Sequence, residues 1–114
     1  RGLGVTVPRR GDLVTVSLLG AYGKPRPALV IQADLLAALE SVMLCPITSE
    51  LKNATFRVTL EPNPANGLRA LSQVMTDKIS TLPRAKVGPS FGRLDAERMK
   101  AVDRALLLVI GVIE

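Results

Sequence analysis

Arg26 stands between two prolines in the run KPRPALVIQAD, residues 24–34. Each proline ring holds its own φ near about −65°, and Pro27 pushes Arg26 toward an extended backbone. A guanidinium set in place this way presents a rigid fork of N–H donors, a better match to a phosphate than a mobile ammonium. The apolar run that follows, ALVIQ, reads as a strand, so Arg26 is expected at the mouth of a sheet. The plainer reading is that Pro-Arg-Pro only opens an edge strand and leaves Arg26 solvated, as most surface arginines are. Other chemistry is closed by what the chain lacks. It has no histidine, which removes imidazole acid–base catalysis and any imidazole-ligated zinc site. Cys45 is the single cysteine, so no intrachain disulfide is possible and a reducing cytoplasm is the natural setting. It lies in the apolar run VMLCPI and reads as a buried core thiol with nothing beside it to activate it.

Composition narrows the partners. At 114 residues the chain is expected to form one domain, 1–114, with a single core. Apolar residues make up 47% of it, enough to fold rather than stay disordered. The net charge of +5 favours a polyanion or an acidic protein as partner, although solubility alone accounts for a charge of that size. The aromatics are Tyr22, Phe56 and Phe91, with no tryptophan, which argues against a platform of stacked bases. The run ALLLVIGVI, 105–113, is too short to span a bilayer, which takes roughly 20 apolar residues, and no signal-peptide pattern is visible.

These residues must be positioned by strands followed by a helix. RRGDLVTVSL, 9–18, sets Leu13, Thr15 and Ser17 against Val14, Val16 and Leu18, the period of a half-buried strand. Gly20 to Pro25 forms a loop. ALVIQ, 28–32, is a central strand, and ADLLAALE, 33–40, is a short helix or turn. SVMLCPITS, 41–49, is a buried strand. ATFRVTLEP, 54–62, alternates Phe56, Val58 and Leu60 inward with Thr55, Arg57 and Thr59 outward. Asn66-Gly67 marks a turn in NPANG, 63–67, and LSQVMTD, 71–77, is a further strand. LDAERMKAVDRALLLVIGVI closes the chain as an amphipathic helix with Asp95 as its N-cap. Met99, Val102, Leu106, Val109 and Ile110 form its apolar stripe, and Leu107 and Leu108 widen it toward a second face that suits another subunit. About five short antiparallel strands and a C-terminal helix give class α+β: a small, partly open β-barrel of SH3-like type.

Five segments taken in order carry a resemblance: RRGDLVTVSL, KPRPALVIQAD, LCPITSEL, NGLRALSQVMTDKISTL and GRLDAERMKAVDRAL. Together they resemble the MazF/PemK family of toxins from type II toxin–antitoxin systems, from about residue 9 to residue 111. The resemblance implies a CcdB/PemK/MazF-type barrel and a homodimer. It implies sequence-specific cleavage of single-stranded RNA with no metal or other cofactor, and neutralisation by an acidic antitoxin. It also implies an active pair, the arginine of RPA and the hydroxyl of the PITS position, matched here by Arg26 and Thr48.

Such cleavage uses the neighbouring 2′-OH as nucleophile and leaves a 2′,3′-cyclic phosphate and a 5′-OH. It needs a base, a proton for the leaving oxygen and donors for the phosphorane charge. Arginine is a poor base because it stays protonated, so Arg26 stabilises the transition state, with proton donation to the leaving group as a further role. Thr48 ends its strand, where its hydroxyl can reach a non-bridging oxygen or simply cap the turn at Ser49. Many family members carry Gly-Ser-Glu-Gln or a histidine in the loop before RPA; here that stretch is GAYGKP, with no acid and no histidine. Asp77, at the acidic position of VMTDKI, is then the candidate base, or else an ion-pair partner of Lys78 or Arg26. Lys24, Ser49, Gln73 and Lys78 are the candidate RNA contacts, with Gln73 and Ser49 reading base edges. Arg9, Arg10, Lys52, Arg69 and Arg84 could line the RNA track, or only be solvated. Two alternatives to the endoribonuclease are a DNA gyrase poison of CcdB type and a catalytically impaired RNA-binding module on the same fold.

Overall fold

The computed structural model describes residues 7–17 and 24–114. Seven strands form one antiparallel sheet: β1 (Asp12–Val16), β2 (Arg26–Val30), β3 (Ser41–Thr48), β4 (Arg57–Leu60), β5 (Ser72–Met75), β6 (Ser80–Pro83) and β7 (Val87–Arg93). One helix follows, α1 (Ala96–Val109). The sheet runs β4-β5-β3-β2-β1-β7 and stays open, with β4 and β7 at its edges. β3 is its axis. One side pairs with β2, and the other is shared by β6 along Ser41–Leu44 and β5 along Ile47–Thr48. The partly open barrel of class α+β expected from the sequence is therefore the fold observed. The expected Gly20–Pro25 loop, Tyr22 and the end of the 9–18 strand fall largely outside the described residues.

β1 departs from the half-buried pattern. Leu13, Val14 and Val16 are all buried, because the curled sheet carries a core on each face. Leu13, Leu29, Cys45, Ile47 and Val74 pack on the side of α1, together with Val102 and Leu94. Val14, Val16, Ala28, Val30, Val42 and Leu44 fill the other side, under Leu82 and Val87. A strand covered on both faces reads as mixed rather than alternating. β6 and β7 were not expected as strands. In VGPSFGR the two glycines and a proline mask the strand signal, and the pairing of β1 with β7 is itself irregular, with register shifts on both sides of Val14.

Asp95 caps α1 as expected, accepting the Arg98 N–H at 2.7 Å. The stripe is displaced from its expected end. Val102 and Ala105 are buried and Met99 and Leu106 pack on the core, whereas Val109 and Ile110 are exposed. The segment 33–40 holds only a short 3-10 turn, Asp34–Leu36.

Candidate RNA-binding cleft

The β2–β3 ladder pairs Val30 with Leu44, Leu29 with Cys45 and Ala28 with Pro46, and stops there. Pro46 has no N–H to continue it, and neither has Pro27. Two residues further in the same register stand Arg26 and Thr48, opposite each other where the strands part. A cleft of about 1140 Å³ opens at that point. Pro25–Pro27 form one wall and Pro46–Glu50 another; Gly67–Ala70, Ser72, Met75, Thr15 and Phe91 complete it.

The far wall is held by Asn66, a buried polar residue. Its Oδ1 accepts the Asn63 N–H at 3.1 Å and the Leu68 N–H at 2.9 Å, and its Nδ2 donates to the Glu61 carbonyl at 2.8 Å. The loop then docks on β7, where the Arg93 N–H donates to the Ala65 carbonyl at 2.9 Å. Gly67 has φ +67°, and a Cβ there would lie 2.6 Å from the Phe91 carbonyl oxygen. Only glycine fits the conformation and the close approach together. The Asn-Gly turn signal is thus borne out, and it carries Leu68, Arg69 and Ala70 to the cleft.

Arg26 is exposed and, among the described residues, pairs with no carboxylate. In this it differs from Arg9, Arg10, Arg57 and Arg93, which are matched with Asp34, Asp103, Asp77 and Asp12. Among the described residues its guanidinium donates to no other group. Arg69 brings a second guanidinium to the same cleft. Thr48 is half-buried, and its Oγ1 accepts the Glu50 N–H at 3.0 Å. That bond uses an oxygen lone pair and leaves the hydroxyl proton to donate. The capping role weighed for Thr48 is real, and it fixes the hydroxyl beside the cleft. Ser49 lines the cleft as well, and Lys24, outside the lining, is exposed one residue ahead of Pro25.

Asp77 is not brought to this pair. It lies on the 3-10 turn Thr76–Lys78 after β5, outside the cleft lining. Arg57 grips it with two donors, Nε to Oδ1 at 2.9 Å and Nη2 to Oδ2 at 3.3 Å. The Arg57 side chain is 4% exposed, which corrects its outward placement in the expected alternation. Those hydrogen bonds, helped by the positive charges of Arg57 and Lys78, hold the Asp77 carboxyl below its ordinary value. A carboxylate made less basic and already bound is poorly suited to take a proton. Of the two partners weighed for it, Lys78 and Arg26, neither is the one found. Lys78 is exposed on the same turn and also lies off the cleft.

Gln73 needs a similar correction. It is buried. Its Oε1 accepts the Lys52 N–H at 2.8 Å, and its Nε2 donates to the Lys52 carbonyl at 2.9 Å and to Thr59 Oγ1 at 3.1 Å. An amide engaged this way reads no base; it clamps the segment that follows Thr48. Two residues of the expected track are structural too. Arg10 bonds Asp103 on α1 and the Ile31 carbonyl, and Arg84 donates to the Ala37 carbonyl. Cys45 is fully buried, and burial, with a smaller push from the Asp77 charge, raises its thiol to about 12. It is the inert core thiol expected. What the sequence reading overlooked is Glu50, a carboxylate in the cleft lining. The signal was its position, two residues after Thr48 on a turn.

Comparison with known proteins agrees with this geometry. A family model described as the PemK-like, MazF-like toxin of type II toxin–antitoxin systems matches residues 9–110. A protein of Mycolicibacterium smegmatis named probable endoribonuclease MazF is 44% identical over 106 residues, covering 91% of this chain and 97% of the relative. The solved Mycobacterium tuberculosis toxin MazF-mt6 superposes with a TM-score of 0.77 at 25% identity, covering 88% of this chain and 96% of that one. A MazE–MazF crystal structure from Deinococcus radiodurans gives a TM-score of 0.76 at 26% identity, with 94% and 98% covered. With nearly its whole length matched and the barrel reproduced, the chain belongs to the PemK-like, MazF-like toxins of type II toxin–antitoxin systems.

Proposed function

We propose that this toxin is an endoribonuclease that cuts single-stranded RNA at short sequence words by attack of the 2′-OH on the adjacent phosphate. The observation that carries the reading is Arg26, its guanidinium without a partner among the described residues, opposite Thr48 at the end of the β2–β3 ladder. Arg26 holds the non-bridging oxygens in bidentate fashion and gains most as charge builds in the phosphorane. Thr48 donates its free proton to the same group. Because the RNA supplies its own nucleophile, no metal is required. Leu68, Met75 and Phe91 give the cleft apolar surface against which bases can rest. Arg69 and Lys24 add positive charge for neighbouring phosphates.

The relative of the Deinococcus structure is held by its MazE partner, and an antitoxin is the matching partner here. An acidic segment laid in this cleft would meet Arg26 and Arg69 and exclude RNA. A homodimer would cover the exposed apolar end of α1, where Leu107, Val109, Ile110 and Val112 face solvent. Among the described residues no helix is long and apolar enough to cross a membrane, and we place the action in the cytoplasm. Cleavage of RNA in EDTA by wild type, Arg26→Ala and Thr48→Ala tests the reading. Wild type should cut and both variants should not, with unchanged circular dichroism. Equal cutting by Arg26→Ala would overturn it.

A further inference from the structure

With Asp77 bound to Arg57, the cleft that holds Arg26 and Thr48 needs another proton acceptor for the 2′-OH. The chain has 10 carboxylate side chains, and none falls in residues 1–6 or 18–23. One of them lines the cleft: Glu50. Its place is fixed from both sides. Its own N–H donates to Thr48 Oγ1 at 3.0 Å, and two residues later Lys52 is gripped through N–H and carbonyl by Gln73, at 2.8 and 2.9 Å. The turn from Thr48 to Lys52 is therefore pinned at each end. The Glu50 carboxylate is exposed and has no hydrogen-bond or ion-pair partner among the described residues. Arg26 from β2 and Arg69 from the 61–71 loop are the other charged groups of the lining, with Lys52 on the same turn.

We propose that Glu50 is the general base of this cleft. The step rests on the endoribonuclease reading above. The carboxylate takes the proton of the 2′-OH as the 2′ oxygen bonds to phosphorus. The bond from phosphorus to O5′ breaks, and O5′ leaves with a proton from water. Glu50 then returns its proton to solvent, so nothing is consumed beyond the RNA bond. Arg26 and Thr48 hold the charge that passes through the phosphorane. A base offered by the strand-end turn answers the absence of any acid from GAYGKP: the function sits on the wall that Pro46–Glu50 form.

The test uses an RNA oligonucleotide spanning a site mapped with wild type, and the same oligonucleotide with a 2′-O-methyl group at the scissile nucleotide. Single-turnover rates across pH are read on the first and binding on the second, for wild type, Glu50→Gln and Glu50→Asp. Glu50→Gln should cut roughly 10² to 10³ times more slowly, lose the acidic limb of the rate profile and bind the 2′-O-methyl RNA at least as well as wild type. Glu50→Asp should recover part of the rate. Cutting by Glu50→Gln at the wild-type rate, cutting at full rate but at new words, or loss of 2′-O-methyl RNA binding in step with cleavage would each overturn the assignment while leaving the endoribonuclease reading intact. A folded wild type that cuts no RNA would remove both.

Discussion

At the scale of single residues the cleft depends on geometry that near-isosteric changes can remove. Arg26→Lys keeps the charge but loses the fork, and cleavage should fall by about 10²-fold or more. Thr48→Val keeps the volume and loses the hydroxyl proposed to reach the phosphate, so it should lose activity, whereas Thr48→Ser should keep most of it; gel assays on one mapped RNA separate them. Cys45 gives a control at a buried residue that does not line the cleft. Its buried thiol, pushed up to about 12, stays protonated, so native protein should resist iodoacetamide at about pH 8 and label fully only in urea. Rapid labelling of native protein would contradict its burial. The placement of Arg26 at a strand mouth, of Thr48 at a strand end and of Cys45 in the core was legible in the sequence, because proline neighbours, strand-end position and an apolar run are local signals. The partner of Asp77 was not, because VMTDKI says nothing about Arg57, 20 residues away. A side chain's ion-pair partner is a tertiary fact.

At the scale of elements, the Asn66 loop before β5 holds a wall of the cleft, and the turn after β5 is tied to β4 through Asp77 and Arg57. Asp77→Asn should destabilise the fold by about 1–3 kcal/mol at neutral pH, the cost of weakening a charged hydrogen bond to a buried guanidinium. The folded-state carboxyl lies below its unfolded value, so its stabilisation is present above the unfolded value and is lost as pH falls through the folded one. Urea unfolding should therefore show wild type and Asp77→Asn converging in acid; a gap that persisted there would refute the pair's contribution. Gly92→Ala should also destabilise, since its Cβ would lie 2.3 Å from the Asn66 carbonyl oxygen, and thermal melts would show it. The strands β2 and β3 were readable from their short apolar runs. β7 was not, because Gly88 and Gly92 serve close packing against β1 and the Asn66 loop and Pro89 breaks the strand signal. Nor was the two-sided burial of β1, which follows from the curl of the sheet.

At the scale of the whole molecule, a positive cleft and an apolar helix end divide the surface into two tasks. Binding of an acidic antitoxin at the cleft should weaken as salt rises, with Arg26→Ala and Arg69→Ala each reducing the slope, as titrations at several ionic strengths would show. The measurement that bears most directly on the account is cleavage of a long, mixed-sequence RNA in EDTA by wild type and Arg26→Ala, with every end mapped. Discrete cuts at one short word, made by wild type alone and leaving 5′-OH ends, are the predicted result. Intact RNA in the presence of folded wild-type protein, or the same cuts from Arg26→Ala, would contradict the account.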